Sequence, residues 1–224
     1  MSLWTRIAEA LQTLAKGEGL SAVFERLRVA PERSVGFTIA VIALGAKMAK
    51  ADGQVTRDEV AAFRRVFTIP KAEEASAARV FNLARQDVAG FDSYARNIRA
   101  MFGPDDRDVM IDLMEGLFHI AVADGSFHPA EETFLREVAR LFGLDERCFR
   151  ALRARHVKDD PHAVLGIPPG ASLDVARKAW REAVKASHPD VMIARGVPPE
   201  AMKLAEDRMR AINAAWDDIS RGAA

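Results

Sequence analysis

Lys185–Met192 reads KASHPDVM, and three of its residues can act on something outside the chain. His188 carries an imidazole and Asp190 a carboxylate. Pro189 between them lacks a backbone N–H and disfavours helical geometry in the residue before it. A helix arriving at Ser187 must therefore stop, and His188 is turned out at a stiffened corner. Upstream, Arg177, Lys178, Arg181 and Lys185 recur at spacings of three, four and seven, which places four cations on one stripe of a helix. Ala176, Ala179, Ala183 and Ser187 share the other side and are small enough for close packing. Such a corner beside a cationic stripe suits recognition of an acidic surface, because long-range charge steers and orients association. A hydrolase using His188 and Asp190 is the weaker reading. No serine or cysteine nucleophile is indicated nearby, and no phosphate-binding glycine loop exists. The expectation is a protein that is not an enzyme.

A second group of acidic residues lies in a duplicated stretch. AKADGQVTRDEVAAFRRV and AVADGSFHPAEETFLREV align at an offset of 72 residues. Asp52 matches Asp124, Gly53 matches Gly125, Glu59 matches Glu131 and Val66 matches Val138, while upstream Ile42 matches Met114. Each copy is an apolar helix, a tight Asp-Gly turn and an amphipathic helix. An EF-hand is rejected. With Gly53 at the loop glycine, the first and third ligand positions fall on Met48 and Lys50, or on Ile120 and Val122 in the second copy. None of these offers the anionic oxygen that a calcium shell of about six to eight oxygens requires. Helix caps and turns account for the acids: Thr56 and Glu59 form a capping box, Pro129 suits a first helical position, and Glu131 falls near the position that reaches back.

The elements that position these groups are helices. Period-two alternation is absent and spacings of three and four recur throughout, so the fold class is all-α. Helices are expected near Leu3–Lys16, Ser34–Ala51, Arg57–Phe67, Lys71–Val88, Ser93–Met101, Asp106–Ala123, Pro129–Leu141 and Glu146–Arg155. Beyond them come a short helix at Pro161–Leu165, a helix over Leu173–Ser187, a loop, and a long helix over Pro199–Ile219. Its Met202, Ala205, Met209, Ile212, Trp216 and Ile219 form a seam that should pack antiparallel on the preceding helix. RHVKDDPHAVLGIPPGAS concentrates charge, proline and glycine, which places a domain boundary near Lys158. The expected units are an amphipathic N-terminal region (1–33), a pseudo-twofold helical bundle (34–155) and a helical hairpin unit (160–221).

Composition narrows the function classes. The 224 residues are 49% hydrophobic, enough for a substantial core, and 32 Lys+Arg balance 32 Asp+Glu. Zero net charge argues against a bulk nucleic-acid binder. The single cysteine, Cys148, allows no internal disulfide and no cysteine-rich zinc site, so a reducing, cytoplasmic setting is expected and Cys148 reads as a packing residue. Val35–Ala46 is uncharged but shorter than the roughly 20 residues a bilayer requires, and Arg6 and Glu9 interrupt any signal-peptide core. Leu3, Trp4, Ile7, Leu11 and Leu14 share one face, which reads as a helix docked on its own domain. His119, on the apolar helix MEGLFHIAVA, reads as a core histidine, and His128 before Pro129 as a cap.

Two resemblances follow. The paired Ala-Asp-Gly turns, each with Glu seven residues after the Asp, resemble the TerB (tellurite-resistance) domain over Ser34–Arg155. That resemblance implies a divalent-cation site in which Asp52, Glu59, Asp124 and Glu131 converge. DPHAVLGI, RKAWREAVKASHPD and INAAWDDI, in that order over Asp160–Arg221, resemble the J domain of DnaJ-type co-chaperones. His162 and Trp180 stand at aromatic positions and Met209 where phenylalanine is common. Ser187 stands where an aromatic or histidine is frequent, and Val191 where a cation is frequent. The pair of domains is similar to the DjlA class of J proteins. It implies a DnaK-type chaperone ATPase as partner, with His188, Pro189 and Asp190 as the trigger and Arg177, Lys178, Arg181 and Lys185 as the orienting stripe. No cofactor is required on this reading, and the TerB-like part serves a client, a ligand or regulation. A metal- or stress-responsive adaptor is the alternative. The class has an N-terminal transmembrane helix, and no such segment is expected here.

Overall fold

The computed structural model describes residues 2–12, 14, 18–20, 22–24, 27, 33–51, 63–64, 66–86, 90–103, 105–123, 125, 127–157 and 160–222. Among them the helices are α1 (Leu3–Gln12), α2 (Arg33–Ala51), α3 (Glu74–Gln86), α4 (Phe91–Met101), α5 (Arg107–Ala121), α6 (Pro129–Leu141), α7 (Glu146–His156), α8 (Pro161–Val164), α9 (Leu173–Ala186), α10 (Pro189–Arg195) and α11 (Lys203–Gly222). Short 3-10 turns at Lys71–Glu73 and Pro199–Ala201 precede α3 and α11. No described residue forms a strand.

The uncharged run Val35–Ala46 explains the centre of the fold. A helix that is apolar on all sides has to be surrounded, and α2 packs against α1, α3, α4, α5 and α6. Its one hydroxyl there, on Thr38, donates to the Ser34 carbonyl at 2.8 Å, so no polar atom is stranded. The second-copy helix α5 lies directly on it. A side chain at Gly116 would place its Cβ 3.2 Å from the Val41 methyls, so glycine is what permits this approach. Ile42 and Met114, matched in the repeat, are both buried, as are Val66 and Val138. The amphipathic α1 buries Leu3, Trp4, Ile7 and Leu11. Each such side chain contributes on the order of 1.5–3 kcal/mol. Trp4 meets Phe67 edge-on at 6.3 Å. No helix of the described residues is long and apolar enough to cross a membrane.

Two hydrophobic cores result. The larger is built from α1 to α7, and the smaller joins Val164, Leu165 and Ile167 to Ala176 of α9 and Ile212, Ala215 and Ile219 of α11. Caps set the entries to this hairpin: Asp160 accepts the His162 N–H at 3.0 Å and Ser172 that of Val175 at 3.4 Å. Trp180 and Trp216 stack at 5.3 Å, and Trp180 Nε1 donates to Asn213 Oδ1 at 2.9 Å. The expected boundary at Lys158 lies outside the described residues.

The cores are not independent. α7 supplies Phe149 and Leu152 to the larger and Ala154 to the smaller. Met192, Val197, Ala201, Leu204 and Ala205, all beyond the corner, belong to the larger. The expected seam on α11 is therefore divided: Ala205 faces the bundle, while Ile212, Trp216 and Ile219 face the hairpin. The Thr68 N–H donates to the Glu200 carbonyl at 2.8 Å, which stitches the two parts through backbone.

Candidate functional site

The loop expected after Pro189 is a helix. Ser187 closes α9, His188 is extended (φ −63°, ψ 134°) as the N-cap of α10, and Pro189 occupies its first turn. Proline suits this place because its missing N–H is one that a first helical turn leaves unbonded. The Asp190 N–H donates to His188 Nδ1 at 3.3 Å, and the Met192 N–H to the His188 carbonyl at 3.0 Å. His188 Nδ1 lies 3.7 Å from Asp190 Oδ2, with the two side chains 58% and 88% exposed. Arg177, Lys178, Arg181 and Lys185 are exposed on α9, while Ala176 is buried beneath them. The Arg177 guanidinium carbon also lies 5.8 Å from the Trp216 ring centroid, which ties one end of the stripe to the hairpin. Ser187 faces inward: it is buried, and its hydroxyl donates to the Ala183 carbonyl at 2.7 Å.

Behind the corner lies a group of charges that spacing alone did not single out. Asp112 and Glu115 of α5 are fully buried, and Arg208 of α11 is only 4% exposed. Arg208 Nη2 lies 2.7 Å from Asp112 Oδ1, and its Nε 3.1 Å from Glu115 Oε1. Arg155 donates to Glu115 Oε1 at 2.6 Å, and His156 Nε2 meets Glu115 Oε2 at 2.5 Å. Arg195, the last residue of α10, reaches Asp108 at 3.2 Å and Asp112 at 3.6 Å. Burial alone would raise the Glu115 carboxyl, but Arg208, His156 and Arg155 outweigh it and hold the group well below its usual range. At Asp112 burial prevails over Arg208 and Arg195, and the pKa goes up. The sequence did carry a sign: carboxylates at Asp112 and Glu115 interrupt an otherwise apolar helix, and Arg208 sits between the inward-facing Ala205 and Ile212.

His119 lies beside this group, packed as expected of a core histidine with its side chain 15% exposed, and its ring is edge-on to His156 at 4.6 Å. Burial, aided by His156, pushes its pKa down to about 4 against the opposing pull of Glu115 and Asp207. Cys148 is half-buried, and burial raises its thiol, as befits a packing residue rather than a nucleophile.

Comparison with known proteins places this arrangement. The family model described as tellurite resistance protein TerB matches residues 38–154, from α2 into α7. The chain belongs to the TerB family. Beyond that bundle it is similar along most of its length to curated proteins named co-chaperone protein DjlA. Identity is 27% with that of Aliivibrio fischeri, covering 85% of this chain and 80% of the relative. With that of Photobacterium profundum it is 24%, covering 95% and 87%, and with that of Coxiella burnetii 27%, covering 78% and 73%. No solved structure matches significantly. The chain is thus DjlA-like, a TerB bundle followed by a J-domain hairpin.

Within the TerB bundle, Asp52, Glu59 and Asp124 of the suggested cation set lie outside the described residues. Glu131 Oε2 accepts the His128 N–H at 2.9 Å, which is the helix-capping geometry expected of it. Gly125 has the positive φ, 89°, that the turn calls for. Among the described residues no group of three or more His, Cys, Asp or Glu side chains is arranged to hold a metal ion.

Proposed function

We propose that this chain is a J-type co-chaperone. It binds the ATPase module of a DnaK-type chaperone in the cytoplasm and stimulates ATP hydrolysis without performing chemistry itself. Residues 160–221 form the chaperone-binding unit, and residues 34–155 receive a client, ligand or regulator. The observation that carries this reading is the common exposure of the His188–Pro189–Asp190 corner and the four cations of α9, while the other side of both helices is packed. Arg177, Lys178, Arg181 and Lys185 steer and orient the encounter with an acidic surface. Asp190 pairs with a cation of the partner and biases its equilibrium toward the hydrolytic state. The co-chaperone names of the DjlA relatives support the same assignment.

Single-turnover ATP hydrolysis by DnaK, with and without this protein, tests it. Stimulation is expected from the native chain and should vanish in His188→Gln, whose circular dichroism should be unchanged because the side chain is exposed. Full stimulation by the folded variant would remove the corner from the mechanism.

A further inference from the structure

We propose that Arg195 is a positioning residue for the His188–Pro189–Asp190 corner, and that through it the TerB bundle sets the angle at which the corner meets the chaperone. The inference rests on the co-chaperone reading above and adds to it a role for the bundle. α10 is only seven residues long, with the corner at one end and Arg195 at the other. Met192 is its one fully buried side chain. A single apolar anchor leaves a short helix free to pivot. A tilt of about 20° at the Arg195 end moves the His188 end by roughly 3 Å, given a rise of about 1.5 Å per residue.

Two contacts oppose that pivot, and both come from the bundle. The Arg195 guanidinium reaches Asp108 at 3.2 Å and Asp112 at 3.6 Å, carboxylates one turn apart on α5. A planar cation held by two separate carboxylates resists rotation better than a single point contact would. Immediately after it, Gly196 turns the chain with φ 107° against the first residue of α2, where an added Cβ would lie 2.5 Å from the Arg33 Cβ. Arg33 is itself paired with Asp106 at the start of α5. The foot of α10 is thus seated between the N-terminal ends of α2 and α5, while its head points to solvent. Arg195 touches no part of the exposed stripe or corner, so its effect on the chaperone is indirect.

The test compares Arg195→Ala, Arg195→Lys, Asp108→Asn and the Arg195→Ala, Asp108→Asn double variant in the full chain, by DnaK single-turnover hydrolysis and by amide exchange over residues 190–195. Arg195→Ala should lower the maximal stimulation roughly threefold to tenfold. The half-saturating concentration should change little, because the α9 cations that govern encounter are intact. Exchange in α10 should rise, Arg195→Lys should recover part of both effects, and Asp108→Asn should add little to Arg195→Ala. Asp108 is largely exposed, so its variant reports on the pair without endangering the fold. If Arg195→Ala stimulates like the native chain and α10 exchange is unchanged, the proposal is overturned. If the native chain does not stimulate DnaK, the co-chaperone reading fails, and unchanged α10 exchange in Arg195→Ala would separately overturn the positioning role.

Discussion

His119 illustrates how one residue's surroundings become a property of the whole protein. Its Nε2 is buried with no hydrogen-bond partner among the described residues, and its Nδ1 lies 3.9 Å from Asp207 Oδ2. Burial and the neighbouring His156 favour the neutral ring, while Glu115 and Asp207 pull the other way and Lys203 assists burial. The unfolded chain takes up this proton near pH 6.5 and the folded chain only near 4. Between those values the unfolded state binds more protons. The stability due to the neutral ring is therefore complete above about pH 6.5 and is lost as pH falls toward 4, a difference of about 3 kcal/mol at most. Urea unfolding at pH 7 and pH 5 should show this loss, and His119→Gln should flatten it. Glu115 stays ionised in the folded chain across this window, but its unfolded carboxyl begins to take up protons toward pH 5, so an added point at about pH 6 isolates the histidine. Ser187 makes the companion point. At a position where J domains favour an aromatic or histidine, its hydroxyl is turned inward to Ala183, so its difference from the J pattern lies beneath the recognition surface.

At the scale of elements, the short α10 is the departure with most consequence. Val191–Arg195 reads as loop because five residues are too few to show a helical period and Pro189 and Gly196 bracket them. Once helical, the segment needs a sharp exit, which Gly196 provides in a left-handed conformation with its N–H on the Ile193 carbonyl at 2.9 Å. Gly196→Ala combines strain at φ 107° with a clash against Arg33. It should cost about 1–3 kcal/mol in thermal or urea unfolding. A variant as stable as the native chain would mean that α10 does not sit on α2 as described. Longer helices were legible because their apolar spacing continues for several turns: α4, α6, α7 and α9 begin within about two residues of their expected starts. Trp216 of the expected seam stacks on Trp180.

At the scale of the molecule, the bundle and the hairpin are joined by charge as well as by apolar packing. Arg208 answers both Asp112 and Glu115 across the junction, and removing it leaves two carboxylates buried together. Arg208→Ala should destabilise the whole chain by about 3–5 kcal/mol, read as a lower urea midpoint. In a Trp4→Phe background, the same loss should appear whether unfolding is followed by tryptophan fluorescence from the Trp180–Trp216 pair or by circular dichroism dominated by the bundle. A change confined to the tryptophan signal would show that the two parts unfold separately.

The amino-acid sequence by itself determined the all-helical class, the duplicated bundle, the hairpin, and the cationic stripe leading to His188–Pro189–Asp190. Each of these is written in local periodicity or in the stereochemistry of proline, and neither needs a distant neighbour. Only the tertiary structure decided that α10 is a helix seated on α2 and α5, that the start of the α11 seam faces the bundle, and that Asp112, Glu115, Arg155, His156, Arg195 and Arg208 meet. The reason is physical. A charge enters a core only where its partners close around it, and those partners here come from segments up to about a hundred residues apart, a separation that spacing along the chain does not encode.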